Sequence, residues 1–266
     1  MIVPLESCLD ESALGGKAVQ LGTAIRAGLP VPGGFALAWP DADAVASGDM
    51  AALASALARL GATTVAVRSS AVGEDSRSAS FAGVHATRLA VRGLGAIADA
   101  VREVVASGSS DSALAYRAAS GAREVAPRVG VVVQRFLDAD VAGVLFTRHP
   151  VTGADERVIE AAWGLGEAVV GGLVTPDHWR IARDGGLVEE RLGEKDVAIR
   201  VAPEGGTHEV RVDAARAGSP CLTRDELARV AALAADCERV FGEGLDIEWC
   251  LFDGRVHLLQ VRPLTA

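Results

Sequence analysis

The sequence predicts an α+β fold with two lobes. Three observations carry that expectation. Helical periodicity marks residues 14–25 and 95–106, short apolar runs crowd the chain from Val129 onward, and a long capped helix leads into two terminal strands.

The elements follow in order. In LGGKAVQLGTAIRAGLPVPGG (14–34), Leu14, Ala18, Leu21, Gly22 and Ile25 recur at helical spacing. Gly15-Gly16 opens this helix with Lys17 in its first turn; Gly28, Pro30 and Pro32 end it. A short helix near 49–60 precedes a strand, TTVAV (63–67). The strand empties into RSSAVGEDSRSASFAGVHAT (68–87), a run of small and hydroxyl residues read as a loop. A helix over 95–106, a linker SGSSDS (107–112) and a helix to about 124 close the first lobe. VGVVVQRF (129–136), AGVLFT (142–147) and RVIEA (157–161) then read as buried strands, followed by the glycine-rich segment 161–176. HWRIA, VAIRV and HEVRV read as short half-exposed strands. TRDELARVAALAADCERVFG (223–242) carries a capping box at Thr223 and Glu226 and ends at Gly242. LDIEWCLF (245–252) and RVHLLQV (255–261) meet through Asp253-Gly254. The lobes are expected at 1–133 and 134–266.

Composition narrows the function classes. The net charge is −9 with no long acidic run, which argues against nucleic acid or an anionic membrane surface as the main partner. No leader-like start and no apolar run of spanning length are present, so a cytoplasmic location is expected. Cys8, Cys221, Cys237 and Cys250 are scattered, which reads as reduced thiols rather than a zinc site. Against 24 arginines stand two lysines, Lys17 and Lys195. A retained lysine suits a phosphate as a compact point charge, although chance survival explains the count equally well.

Several residues could carry chemistry. Asp246 and Glu248 share one face of a strand, as Gln260 and Arg262 do on the next. Hard oxygen donors beside a guanidinium suit a magnesium nucleotide; a solvated polar face on an edge hairpin is the competing reading. A two-residue Asp-Gly loop would put Gln260 on the face opposite Glu248. The pairing therefore predicts a three-residue loop ending in left-handed Gly254. Arg68, Ser69 and Gly83 belong to the small-residue loop, where bare backbone and fixed charge can wrap phosphate; a plain surface loop is the alternative. The strand end Gln134, Arg135, Phe136 and Leu137 offers an adenine slot, or an ordinary buried strand end. His149, in TRHPVTG, reads as a structural turn residue.

Taken together, GGKAVQLG, VPGGF, AVRSSAVGEDSRSASFAGVHAT, GVLFTRHPVTG, AAWGLGEAVVGGLVTPDHW and DIEWCLFDGRVHLLQVRPLT resemble the nucleotide-binding domain of the phosphoenolpyruvate synthase and pyruvate phosphate dikinase family, shared with rifampin phosphotransferase. The resemblance runs from Gly15 to Pro263. It implies an ATP-grasp fold whose two lobes clamp ATP and Mg²⁺. By the same resemblance Lys17, Arg68 and Arg262 hold phosphates and act in catalysis, Glu248 and Gln260 bind the metal, and Asp246 is the remaining acid. Residues 69–83 would cover the phosphates and 134–137 would form the adenine hinge. The implied reaction cleaves ATP to AMP and sends pyrophosphoryl to a histidine on a swivelling domain. No Gly-Gly…Ser/Thr-His motif occurs here, so that histidine is expected on a separate domain or polypeptide. A stand-alone kinase or ligase acting on a small acceptor, and a non-catalytic nucleotide-binding module, are the alternatives.

Overall fold

A computed structural model describes residues 1–72, 86–110 and 128–264. The first sheet has the order β1-β2-β5-β3-β4 and is antiparallel throughout. Its strands are β1 (Ile2–Pro4), β2 (Gly34–Leu37), β3 (Thr64–Ala71), β4 (Thr87–Arg92) and β5 (Val129–Arg135). The run VGVVVQ is apolar because both of its faces are covered. Val131 and Val133 pack against α3 (Trp39–Ala46), α4 (Ala51–Leu60) and α5 (Leu94–Ser107). Val132 faces the other way, toward α1 (Glu11–Leu14) and α2 (Gly16–Arg26).

The second sheet has the order β13-β12-β6-β7-β8-β9 and is also antiparallel. It comprises β6 (Val141–Phe146), β7 (Glu156–Trp163), β8 (Asp177–Ala182), β9 (Leu187–Arg191), β12 (Leu245–Phe252) and β13 (Arg255–Pro263). Helix α8 (Arg224–Phe241) lays Leu227, Val230, Ala234 and Cys237 on one face, against Ile159, Trp179, Ile247 and Trp249. Its capping box is formed as expected. The other face carries Asp246, Glu248, Gln260 and Arg262. Two short helices, α6 (Glu167–Val170) and α7 (Ala214–Ala217), and a separate hairpin of β10 (Val197–Val201) and β11 (Thr207–Arg211) complete the described chain. The α+β class and the division into two main sheets are those expected from the sequence.

Some elements fall elsewhere. Strands β1, β2, β4 and β9 and helices α1, α3, α6 and α7 have no counterpart among the expected elements. The first two span three and four residues, too few for a period to show. The first residues of the expected loop are strand: Arg68, Ser69, Ser70 and Ala71 continue β3 and pair with Val132, Val131, Gly130 and Val129. Small residues are needed there because α1 and α2 approach the strand closely. Ser70 Oγ accepts from the Ala18 N–H at 3.0 Å. A Cβ on Gly15, whose φ is +81°, would lie 1.8 Å from Ser70 O. Gly15→Ala is therefore expected to cost about 2–3 kcal/mol in urea unfolding, from backbone strain and steric overlap together. Residues 73–85, with Gly83 and most of the phosphate-covering loop, lie outside the described residues, as does the helix expected to reach about 124.

The terminal hairpin corrects the three-residue loop. Phe252 pairs with Arg255, so the loop is the two-residue Asp253-Gly254. Both residues have positive φ, 49° and 68°, as a type I′ turn requires. The parity problem is solved further along the strand. The register shifts between Glu248 and Trp249, which pair with Gln260 and Leu258, so Leu259 is the extra residue of a β-bulge. The bulge turns Gln260 onto the face of Glu248.

Candidate functional site

A cleft of about 490 Å³ opens between the sheets. Lys17, Arg68, Ser69, Gln134, Arg135, Phe136, Leu137, Glu248, Gln260 and Arg262 all line it. Each arrives by a local device. Lys17 is in the first turn of α2 and is 5% exposed. Arg68 projects from β3 and spans the cleft: Nη2 donates to Glu248 Oε2 at 2.7 Å and Nη1 to Leu259 O at 2.8 Å. That second acceptor is the carbonyl of the bulged residue. The bulge thus serves the site twice, aligning Gln260 with Glu248 and presenting a carbonyl to Arg68.

Glu248 and Gln260 stand directly opposite each other on β12 and β13. One carboxylate and one amide oxygen, completed by phosphate oxygens, fit a hard cation such as Mg²⁺. Glu248 spends one of its oxygens on Arg68, which fixes the carboxylate at the cleft wall. Among the described residues no cluster of three or more His, Cys, Asp or Glu could hold a metal by itself. A cation placed here would need further ligands from a bound group. Asp246 stands opposite Arg262 and takes both Nε (2.8 Å) and Nη2 (2.6 Å) on Oδ2. It is not among the cleft-lining residues; its described role is to hold the guanidinium that is.

The other end of the cleft is apolar. Ala139, Ala142, Leu165 and Cys250 belong to one buried cluster, with Phe136, Leu137 and Leu259 packed against it. Burial pushes the Cys250 thiol up to about 12, so it contributes a neutral surface. At the strand end, the Arg135 N–H donates to Gly33 O and the Phe136 N–H to Thr64 O. Gln134 Nε2 donates to Pro32 O, and the Arg135 side chain turns away to Leu60 O. The polar groups of the Gln134 and Arg135 side chains are thus engaged outside the cleft, and Phe136 and Leu137 form its apolar wall here. The sequence reading missed Leu165, Glu167 and Leu259, which also line the cleft. The glycine-rich segment around GLGE was the available signal for the first two; nothing local marked Leu259.

Two residues flagged in the sequence have structural roles. Lys195 is fully buried away from the cleft, with Nζ 2.5 Å from Asp177 Oδ1 and 2.9 Å from Gly193 O. It is an internal ion-pair partner rather than a phosphate ligand. His149 Nδ1 accepts from the N–H groups of Val151 and Thr152, both at 3.2 Å, and so holds its own turn. Among the described residues no helix is long and apolar enough to cross a membrane.

The sequence is similar to several known proteins. The pyruvate phosphate dikinase AMP/ATP-binding domain matches residues 46–266. A prodigiosin-synthesizing transferase, PigC, of Serratia marcescens is 37% identical over 98% of this chain and 32% of its own length. A rifampicin phosphotransferase of Streptomyces sviceus is 41% identical over 81% of this chain and 25% of its own. A probable phosphoenolpyruvate synthase of Methanothermobacter thermautotrophicus is 40% identical over 76% and 30%. The chain thus spans a third or less of these relatives. Among solved structures, an L-amino acid ligase from Bacillus licheniformis overlaps 95% of this chain and 43% of its own at 14% identity, with a TM-score of 0.40. With the family profile covering most of the sequence, the chain belongs to the pyruvate phosphate dikinase AMP/ATP-binding domain family.

Proposed function

We propose that the two lobes, 1–133 and 134–266, clamp Mg-ATP and promote its cleavage to AMP, with pyrophosphoryl passing to a histidine on a separate domain or polypeptide. The observation that carries this reading is the convergence of Lys17, Arg68 and Arg262 with the Glu248–Gln260 pair at one end of a cleft whose other end is apolar. Three fixed cations suit a triphosphate, and the apolar end suits a base. Phosphoryl transfer depends mainly on positioning and charge stabilisation, which is what such a set can supply. Glu248 and Gln260 would hold Mg²⁺, which when bound neutralises phosphate charge. Lys17 and Arg68 would orient the phosphates, and Arg262, braced by Asp246, would stabilise charge on the leaving group. Residues 69–83 would close over the phosphates.

A second reading has its own support. A relative that aligns over nearly the whole chain is named a prodigiosin-synthesizing transferase, and direct action on a small acceptor is the second reading. Product analysis separates the two readings. The chain is incubated with Mg-ATP and either a histidine-bearing swivelling domain or small acceptors. AMP that needs the histidine domain supports the first reading; turnover with a small acceptor alone supports the second. Glu248→Gln is expected to raise the Mg²⁺ concentration for half-maximal turnover at least about tenfold while the melting temperature changes little. Normal turnover at low Mg²⁺ in that variant would remove Glu248 from the metal site.

A further inference from the structure

A carboxylate–imidazole pair stands on the same sheet face as Glu248, beyond the residues that line the cleft. Directly opposed residues across β13, β12, β6, β7 and β8 run Gln260, Glu248, Val144, Glu160, His178. Opposed residues share a face, so Glu160 and His178 continue the row that begins at the proposed cation pair. Their chain neighbours Ile159, Ala161 and Trp179 sit in the core under α8, which fixes the side. At ordinary strand spacing Glu160 lies about 10 Å from Glu248, with the small Val144 between them.

The two side chains are not equivalent. His178 Nδ1 and Glu160 Oε1 are 3.2 Å apart. The imidazole is 15% exposed and the carboxylate 35%. His178 Nε2 is buried and has no hydrogen-bond partner among the described residues. His178 therefore braces the carboxylate, and Glu160 is the member that meets solvent. Among the described residues, two arginines on the adjoining strand positions are engaged by other carboxylates. Arg180 is held by Glu156 and Glu189, and Arg191 by Glu189.

We propose that Glu160 receives the acceptor: it accepts the ring N–H of an incoming histidine whose other nitrogen attacks the β-phosphorus. This inference rests on the histidine-acceptor reading above. A neutral imidazole carries one N–H and one lone pair. The lone pair forms the N–P bond, and the bond from the β-phosphorus to the oxygen bridging the α-phosphate breaks. AMP leaves with that electron pair. Positive charge builds on the ring as the bond forms. Glu160 stabilises it, takes the N–H proton and passes it to water. An attacking nitrogen about 3–3.5 Å from phosphorus, one imidazole ring and one hydrogen bond fill a gap of this size. His178 is a positioning residue.

The test supplies Mg-ATP and a swivelling histidine domain of this family as a separate polypeptide, and follows AMP. Glu160→Gln is expected to slow AMP formation at least about 10²-fold, with the Kd for Mg-ATP and the melting temperature unchanged. Glu160→Asp, which keeps the charge and shortens its reach, is expected to fall less and serves if Glu160→Gln folds poorly. Wild-type rates in both variants would overturn the role of Glu160 and leave the proposed function standing. Absence of AMP from the wild-type chain would overturn the proposed function and this inference with it.

Discussion

An Arg68→Ala chain is expected to fold and to turn ATP over about 10²–10³-fold more slowly, as when a preorganised charge facing a transferring group is removed. The guanidinium is 12% exposed and joins β3 to β12 and β13 through Glu248 and Leu259 O. Its removal therefore has two consequences. The charge proposed to face the phosphates is lost, and a tie between the two sheets is lost with it. The tie is partly solvated and is worth about 1–2 kcal/mol, small beside the effect on turnover. Steady-state kinetics and a urea melt on the same preparation separate the two. A loss of turnover no larger than the loss of stability implies would make Arg68 a structural residue. Arg68→Lys is not expected to rescue. One ammonium cannot span Glu248, the Leu259 carbonyl and a phosphate in the fork that a guanidinium provides.

The Lys195→Met variant is expected to lose about 3–5 kcal/mol of stability, read from the shift in urea midpoint at unchanged slope. Lys195 and Asp177 are both wholly buried, and Asp177 also accepts the backbone N–H groups of Gly193 and Cys221, each at 2.8 Å. Methionine fills the lysine stem but leaves a buried carboxylate without its counter-charge. The same knot fixes three chain segments at once: the start of β8, the segment before β10, and the segment leading into α8. A paired Lys195→Met, Asp177→Leu change is not expected to restore stability in full, because it strands the buried Cys221 N–H and the part-buried Gly193 N–H. The affinity for Mg-ATP in the cold, where the variant stays folded, is expected to match the wild type, since none of these groups lines the cleft.

Legibility in the sequence followed the range of the interaction. Helices α2 and α8 were readable because their period and caps are local, within a few residues of one another. The buried run of β5 was readable because both of its faces are covered by apolar layers. Lys17, Arg68, Glu248, Gln260 and Arg262 were singled out by residue type and by motifs along the chain. Distance in sequence hid the rest. That Arg68 meets Glu248, 180 residues away, depends on how two sheets face each other. No local pattern distinguishes Lys17 at the cleft from Lys195 in a buried ion pair, because both are solitary lysines near glycines. The sequence alone determined an α+β chain, its main helices and buried strands, and the residues worth watching, because periodicity, capping and residue chemistry are written locally. Only the tertiary structure decided that a bulge at Leu259, and not a longer turn, brings Gln260 to Glu248. A hairpin's register is settled by the sum of its cross-strand packing, and one extra residue anywhere along it reverses every face that follows.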